Sequence, residues 1–277
     1  RRIYFHPDGT LKRPGERLEN PDLAQTLRKI AKGGADVFYT GEIAEIIAAD
    51  MQANGGLLSA DDLKNYQTTR CDPLWGRFRS FDIASNQPPG GGIMLIEMLQ
   101  ILENFDLKTL GHNSTEYIRI VAEAMKRATR DKDMFVGDPA FFDVPIDRLT
   151  DIAYAREQAD RIKAGDIASV ERLNDSFPES KDTTHIAVAD AAGNLVSMTH
   201  SLGMPSGIIT EGLGFMYNGC MAVFDPRPGR AGSIAPGKSR FSSVCPTIVF
   251  KDKDPKVVIG APGGTQIAMG VLQATLN

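Results

Sequence analysis

The sequence predicts an α+β layered sandwich, and three observations carry that expectation. Helical periodicity dominates up to about residue 173, period-two alternation dominates after Thr183, and a helical pattern returns from about Gln266. At 277 residues the chain can bury a large core, in one or two domains.

The elements follow in order. Asn20-Pro21-Asp22 before Leu23, Leu27 and Ile30 reads as a capped amphipathic helix that Gly33-Gly34 ends. A second helix runs near Gly41 to Ala53, and Ser59 opens a short third one. Trp75 to Ile83 alternates weakly as a strand, with Phe78, Phe81 and Ile83 on the apolar side. Pro88-Pro89-Gly90-Gly91-Gly92 is a loop feeding a helix with Leu95, Ile96, Leu99 and Leu102. Its glycines suit either a tight loop-to-helix turn or an anion cradle, but no Lys-Ser/Thr ending of a phosphate loop follows. Asn113 with Glu116 reads as a capping box for a helix whose apolar face holds Tyr117, Ile120, Val121, Ala124 and Ala128. Lys126, Arg127 and Arg130 then fall on a solvated face. Residues 151–173 read as a charged helix, and the polar run Asn174 to Asp182, broken by Pro178, as a flexible, reachable segment. A hairpin over 184–201 and a strand pair at 246–250 and 256–260 complete the pattern.

Composition excludes several classes. Net charge is −4, from 35 acidic and 31 basic residues, and no long basic block offers a nucleic-acid or anionic membrane face. No uninterrupted apolar stretch reaches the roughly 18 residues of a membrane span. Three cysteines match no metal or redox spacing and read as small buried hydrophobes, and four scattered histidines predict neither metal nor cofactor. The chain opens on Arg1 and stops within a helical pattern at Asn277, so both ends read as cut edges.

Asp182-Thr183-Thr184-His185 opens the strand-turn-strand pattern. Cleavage between Asp182 and Thr183 would release an α-amine beside the Thr183 hydroxyl, and that amine could serve as its base. An α-amine has a reference pKa of roughly 7.7–8.0, which suits that role near neutral pH. The plain alternative is a strand-opening threonine, which the β-propensity of Thr also explains.

Further motifs decide between them. Thr183-Thr184-His185, Gly193-Asn194, Pro236-Gly237-Lys238, Phe241-Ser242-Ser243, Pro246-Thr247-Ile248-Val249 and Gly260-Ala261-Pro262-Gly263-Gly264, in this order, resemble the γ-glutamyltranspeptidase (glutathione hydrolase) family of N-terminal-nucleophile hydrolases. Upstream, Pro14-Gly15-Glu16, Asn20-Pro21-Asp22, Gly33-Gly34-Ala35-Asp36, Gly55-Gly56-Leu57-Leu58 and Pro88 to Gly92 resemble its large subunit. The resemblance implies a four-layer αββα fold, with 1–182 and 183–277 as parts of a large and a small subunit that stay associated in one catalytic domain. It implies that the chain is a fragment, that the family's carboxylate-binding Arg lies upstream of Arg1, and that a targeting signal lies outside it. The compartment is then periplasmic or secreted by analogy, with a cytoplasmic one left open.

The resemblance also assigns roles. Thr183 is the nucleophile, Thr199 and Ser201 stand at the family's Thr-x-Thr motif, with Ser in place of the second Thr, and orient it, and Gly263 with Gly264 forms the oxyanion hole. Ser242 and Ser243 hold the α-carboxylate of a glutamyl group, and Asp225 to Arg240 occupies the position of a mobile lid. The pattern departs at three further places. Gly203 stands where the family has Asn, and Cys220 and Val223 stand where it has the Gln and Asp that contact the α-amine. A buried ammonium without a carboxylate partner is costly, so the α-amine grip is absent or rebuilt. The first reading is an autoprocessing threonine amidohydrolase or acyltransferase that cleaves γ-glutamyl amides and passes the acyl group to water or an amine. An acylase acting on another carboxylate-bearing amide and an uncleaved, non-catalytic homologue are the alternatives.

Overall fold

The computed structural model describes residues 3–171 and 183–277, so the expected flexible run from Asn174 to Asp182 lies outside the described residues. The chain forms two compact units, one of residues 1–70 with 205–218, the other of residues 71–204 with 219–277.

The first unit holds helices α1 (Pro21–Gly33), α2 (Asp36–Tyr39), α3 (Glu42–Ala53) and α4 (Ala60–Asn65). Asn20 caps α1 as expected, its Oδ1 accepting from the Leu23 amide at 3.0 Å. Ser59 and Asp62 form a full capping box on α4. Ile43, Ala44, Ile47, Leu63 and Leu213 make the core. Leu213 arrives from far along the sequence because the 205–218 segment is stitched to this unit. Asn20 Nδ2 donates to the Gly214 carbonyl at 2.6 Å, and Thr26 Oγ1 to the Leu213 carbonyl at 2.9 Å.

The second unit begins with β1 (Leu74–Phe78) and β2 (Phe81–Ser85), then α5 (Gly92–Leu102), α6 (Leu107–Leu110), α7 (Thr115–Phe135), α8 (Ile146–Leu149) and α9 (Ile152–Lys163). It continues with β3 (Thr183–Ala189), β4 (Leu195–Ser201), β5 (Thr247–Lys251), β6 (Asp254–Ile259) and α10 (Ile267–Leu276). Short 3₁₀ turns occupy Cys220–Val223 and Gly264–Gln266. One sheet has the order β1-β2-β5-β6, with every pairing antiparallel, and β3–β4 forms a second, two-stranded sheet. The α+β class therefore holds. Every residue of α5 is buried. It packs against β1, β2, α7, α9 and α10, which makes it the centre of the main core. The hairpin turns Thr183, His185 and Ser197 to the side of β6, while Ile186, Val188, Val196 and Met198 stay exposed on its other side.

Several local expectations change. The 75–83 stretch is a hairpin, not one strand: Arg79 takes φ 55° and reverses the chain. Ser114, not Asn113, caps α7, its hydroxyl accepting from the Tyr117 amide at 3.1 Å, while Asn113 adopts φ 60° in the preceding turn. The helix expected over 151–173 ends at Lys163, where Gly165 takes φ 83°. Arg127 is fully buried instead of solvated. Its guanidinium donates to Gln158 Oε1 at 3.3 Å and to the Asp166 carbonyl at 3.0 Å, while its Nε is buried without a partner among the described residues. Of the cysteines, only Cys245 is fully buried, and burial pushes its thiol up to about 12; Cys71 is exposed.

Glu97 lies inside the same layer, and its Oε1 has no hydrogen-bond partner among the described residues. Burial first, and the Asp131 carboxylate second, push its pKa well above 4.5. The folded chain therefore holds a proton that the unfolded chain releases, and stability falls as pH rises above about 4.5. Glu97→Gln should flatten that fall, so the urea midpoint of the variant should gain on the wild type between pH 5 and pH 8.

Candidate active site

Thr183 is buried and opens β3, directly opposite Ser201 at the end of β4. Their hydroxyls are 2.9 Å apart, and either can donate. The Gly203 amide donates to Ser201 Oγ at 2.8 Å, fixing the serine rotamer from the far side. The structure thus brings Thr183 and Ser201 together. Thr199 lies one rung along and meets a different partner: its Oγ1 is 2.9 Å from His185 Nδ1, and the two are cross-strand neighbours. Asp182 lies outside the described residues.

His185 is the site residue that sequence reasoning missed. The signal was present, because period two puts it on the same face of β3 as Thr183. Its Nε2 is buried without a partner among the described residues, and burial pulls its pKa below 6.5. The imidazole stands on Gly260, the residue after β6. A Cβ built at Gly260 would meet His185 Nδ1 at 2.2 Å, so only glycine allows the approach. Ser197 Oγ donates to the Ile259 carbonyl at 3.2 Å beside this contact. The β3–β4 hairpin is thereby anchored to the strand that leads straight into Gly263-Gly264.

Gly263 takes φ 141° and Gly264 φ 57°, conformations that glycine reaches without strain, and together they turn the chain into α10. Ser243 Oγ donates to the Gly264 carbonyl. As placed, that hydroxyl braces the glycine turn. Ser242 is held through its backbone, its amide donating to the Pro89 carbonyl at 2.8 Å. Asn86 spans the same junction, with Nδ2 on the Val244 carbonyl and Oδ1 on the Gly92 amide, both at 3.0 Å. The Pro88–Gly92 loop therefore supports the Ser242–Ser243 segment, which decides for the tight-turn reading of its glycines.

The segment expected as a lid is tied down by specific contacts. Arg227 pairs with Asp225 at 2.8 Å and with Glu171 at 2.7 Å. Lys238 donates to the Ala231 and Ser233 carbonyls at 2.8 and 2.9 Å, and the Ser239 amide to Asp138 at 2.7 Å. Of the departing positions, Gly203 and Cys220 are adjacent in space, while Val223 is exposed. Among the described residues no cluster of His, Cys, Asp and Glu has the form of a metal site, and no helix is long and apolar enough to cross a membrane.

Because the fold holds His185 neutral below the pH at which the unfolded ring takes up a proton, stability should fall as pH drops through about 6.5. In melting temperatures across pH 5 to 8, His185→Gln should gain on the wild type as pH falls below about 6.5, because the variant lacks this contribution.

The γ-glutamyltranspeptidase family model matches residues 1–277. An acylase ACY 1 proenzyme of Pseudomonas sp. (strain SE83) is 40% identical over 98% of the chain and 49% of its own length. The glutathione hydrolase proenzyme of Escherichia coli (strain K12) is 38% identical over 100% of the chain and 50% of its own length. A cephalosporin acylase structure from Bacillus halodurans superposes with a TM-score of 0.85 at 27% identity, covering 99% of this chain and 50% of that one. The likeness carries the expected α+β fold of the N-terminal-nucleophile hydrolases. The chain spans about half the length of the relatives it matches. It belongs to the γ-glutamyltranspeptidase family.

Proposed function

We propose, on the premise of that family membership, that the chain is the core of an autoprocessing threonine amidohydrolase or acyltransferase with Thr183 as its nucleophile. The observation that carries the reading is the hydroxyl pair Thr183–Ser201 at the mouth of a hairpin anchored, through His185 and Gly260, to the Gly263–Gly264 turn.

The chemistry proceeds in two stages. In the precursor the Thr183 hydroxyl attacks the Asp182 carbonyl, collapse breaks the Asp182–Thr183 C–N bond to free the Thr183 amine and leave an ester on Oγ1, and water hydrolyses that ester to release the Asp182 carboxylate and restore the hydroxyl. In the mature enzyme that amine takes the hydroxyl proton as Thr183 Oγ1 bonds to the carbonyl carbon of a substrate amide. Ser201 orients the attacking oxygen. The backbone amides of Gly263 and Gly264 hold the tetrahedral oxyanion. Collapse expels the leaving amine, which recovers the proton, and leaves a Thr183 ester. Water or a second amine then takes the acyl group and restores the hydroxyl. Thr199 acts through His185, and Ser243 acts by holding the Gly264 carbonyl.

A γ-glutamyl amide is the default substrate on family grounds. An acylase reading stands beside it because Cys220 and Val223 leave no carboxylate where an α-ammonium needs one, and because the acylase and glutathione hydrolase relatives are similarly close, at 40% and 38% identity.

Intact mass and N-terminal sequencing of the full-length gene product test the reading. Two fragments, one beginning Thr183-Thr184-His185, are the expected result, and a single uncut chain sinks it. Thr183→Ala should stay uncut and inactive. Ser201→Ala should lower kcat on any accepted amide by about 10- to 100-fold, the worth of one strong hydrogen bond to the nucleophile.

A further inference from the structure

Gly203 and Arg240 are both close to the nucleophile but have no role in the chemistry above. Gly203 takes φ 70°, and a Cβ built there would stand 2.4 Å from Cys220 Sγ and 2.8 Å from Arg240 Nη2. The guanidinium therefore fills the space that any side chain at 203 would need. It is also near the reacting group, since the Gly203 amide holds Ser201 Oγ, which in turn contacts Thr183. Lys238, two residues before it, is committed to two backbone carbonyls. Arg240 gives only Nη1, to the Phe241 carbonyl at 2.8 Å, and no carboxylate pairs with it among the described residues. Arg240 is half-buried, and its Nη2 lies beside Gly203.

We infer that Arg240 is a specificity-determining residue that receives a carboxylate carried by the acyl half of the substrate, and that Gly203 and Cys220 are small so that its guanidinium fits. A guanidinium fork matches a carboxylate in two parallel hydrogen bonds, and partial burial strengthens both. The same cation repels an ammonium, and with Cys220 and Val223 at the former amine contacts nothing offsets that repulsion. The preferred acyl group is then a dicarboxylic acid joined through one end, such as a glutaryl amide, without an α-amine. This inference rests on Thr183 being the nucleophile.

The test uses the processed full-length enzyme with three anilides: glutaryl, γ-glutamyl and the uncharged pentanoyl. The wild type should prefer glutaryl. Arg240→Ala should lower the glutaryl-to-pentanoyl ratio of kcat/KM by about 10- to 100-fold, chiefly through KM, with Arg240→Lys between. An unchanged ratio, or equal losses on both anilides, overturns the inference while leaving the nucleophile reading intact. A wild type that processes at Thr183 but prefers γ-glutamyl anilide overturns it as well. A wild type that cleaves none of the three overturns both. Should Arg240→Ala fail to process, inhibition of the wild type decides: glutarate should bind at least about 10-fold more tightly than pentanoate, and equal inhibition overturns the inference.

Discussion

The register of the β3–β4 ladder is the constraint on which the rest of the site depends. It pairs Thr183 with Ser201 and His185 with Thr199, and it turns all four toward β6. A slip of one residue would exchange them for Thr184, Ile186, Met198 and His200, and nothing of the proposed chemistry would survive. The tight turn at Asp190–Asn194 holds that register from the closed end. Asp190 Oδ1 accepts from the Ala192 and Asn194 amides, and Gly193 supplies φ 85°.

Glycine sets how closely the pieces approach. At Gly260 the backbone lies against an imidazole, and at Gly91 it lies against the Ser243 carbonyl, where a Cβ would stand at 2.5 Å. These two contacts fix the strand leading to Gly263–Gly264 and the segment carrying Ser242–Ser243. Both lie on the larger unit, whose rigidity comes from α5 buried along its whole length. Polar groups sit within that apolar layer at a cost, and each is met differently. Arg127 donates its terminal nitrogens to Gln158 and Asp166, while Glu97 keeps its proton.

The departures at Gly203 and Cys220 are one structural event. A Cβ built at Gly203 would meet both Cys220 Sγ and the Arg240 guanidinium, so a side chain at 203 would require both neighbours to move.

Much of this was legible in the chain itself. Period-two alternation located the β3–β4 hairpin, helical periodicity with Asn20 and Ser59 located α1 and α4, and ordered short motifs named the family and the residues to inspect. Those signals are local: each needs only neighbouring residues and the geometry of one element. Tertiary structure decided what depends on contacts between distant segments. It put Arg127 inside, because Gln158 and Asp166 arrive from α9 and the loop after it. It joined the early hairpin to β5, directed Thr199 to His185, and stood Arg240 over Gly203, none of which has a sequence period. A pattern records which face a residue occupies; only packing determines what that face meets.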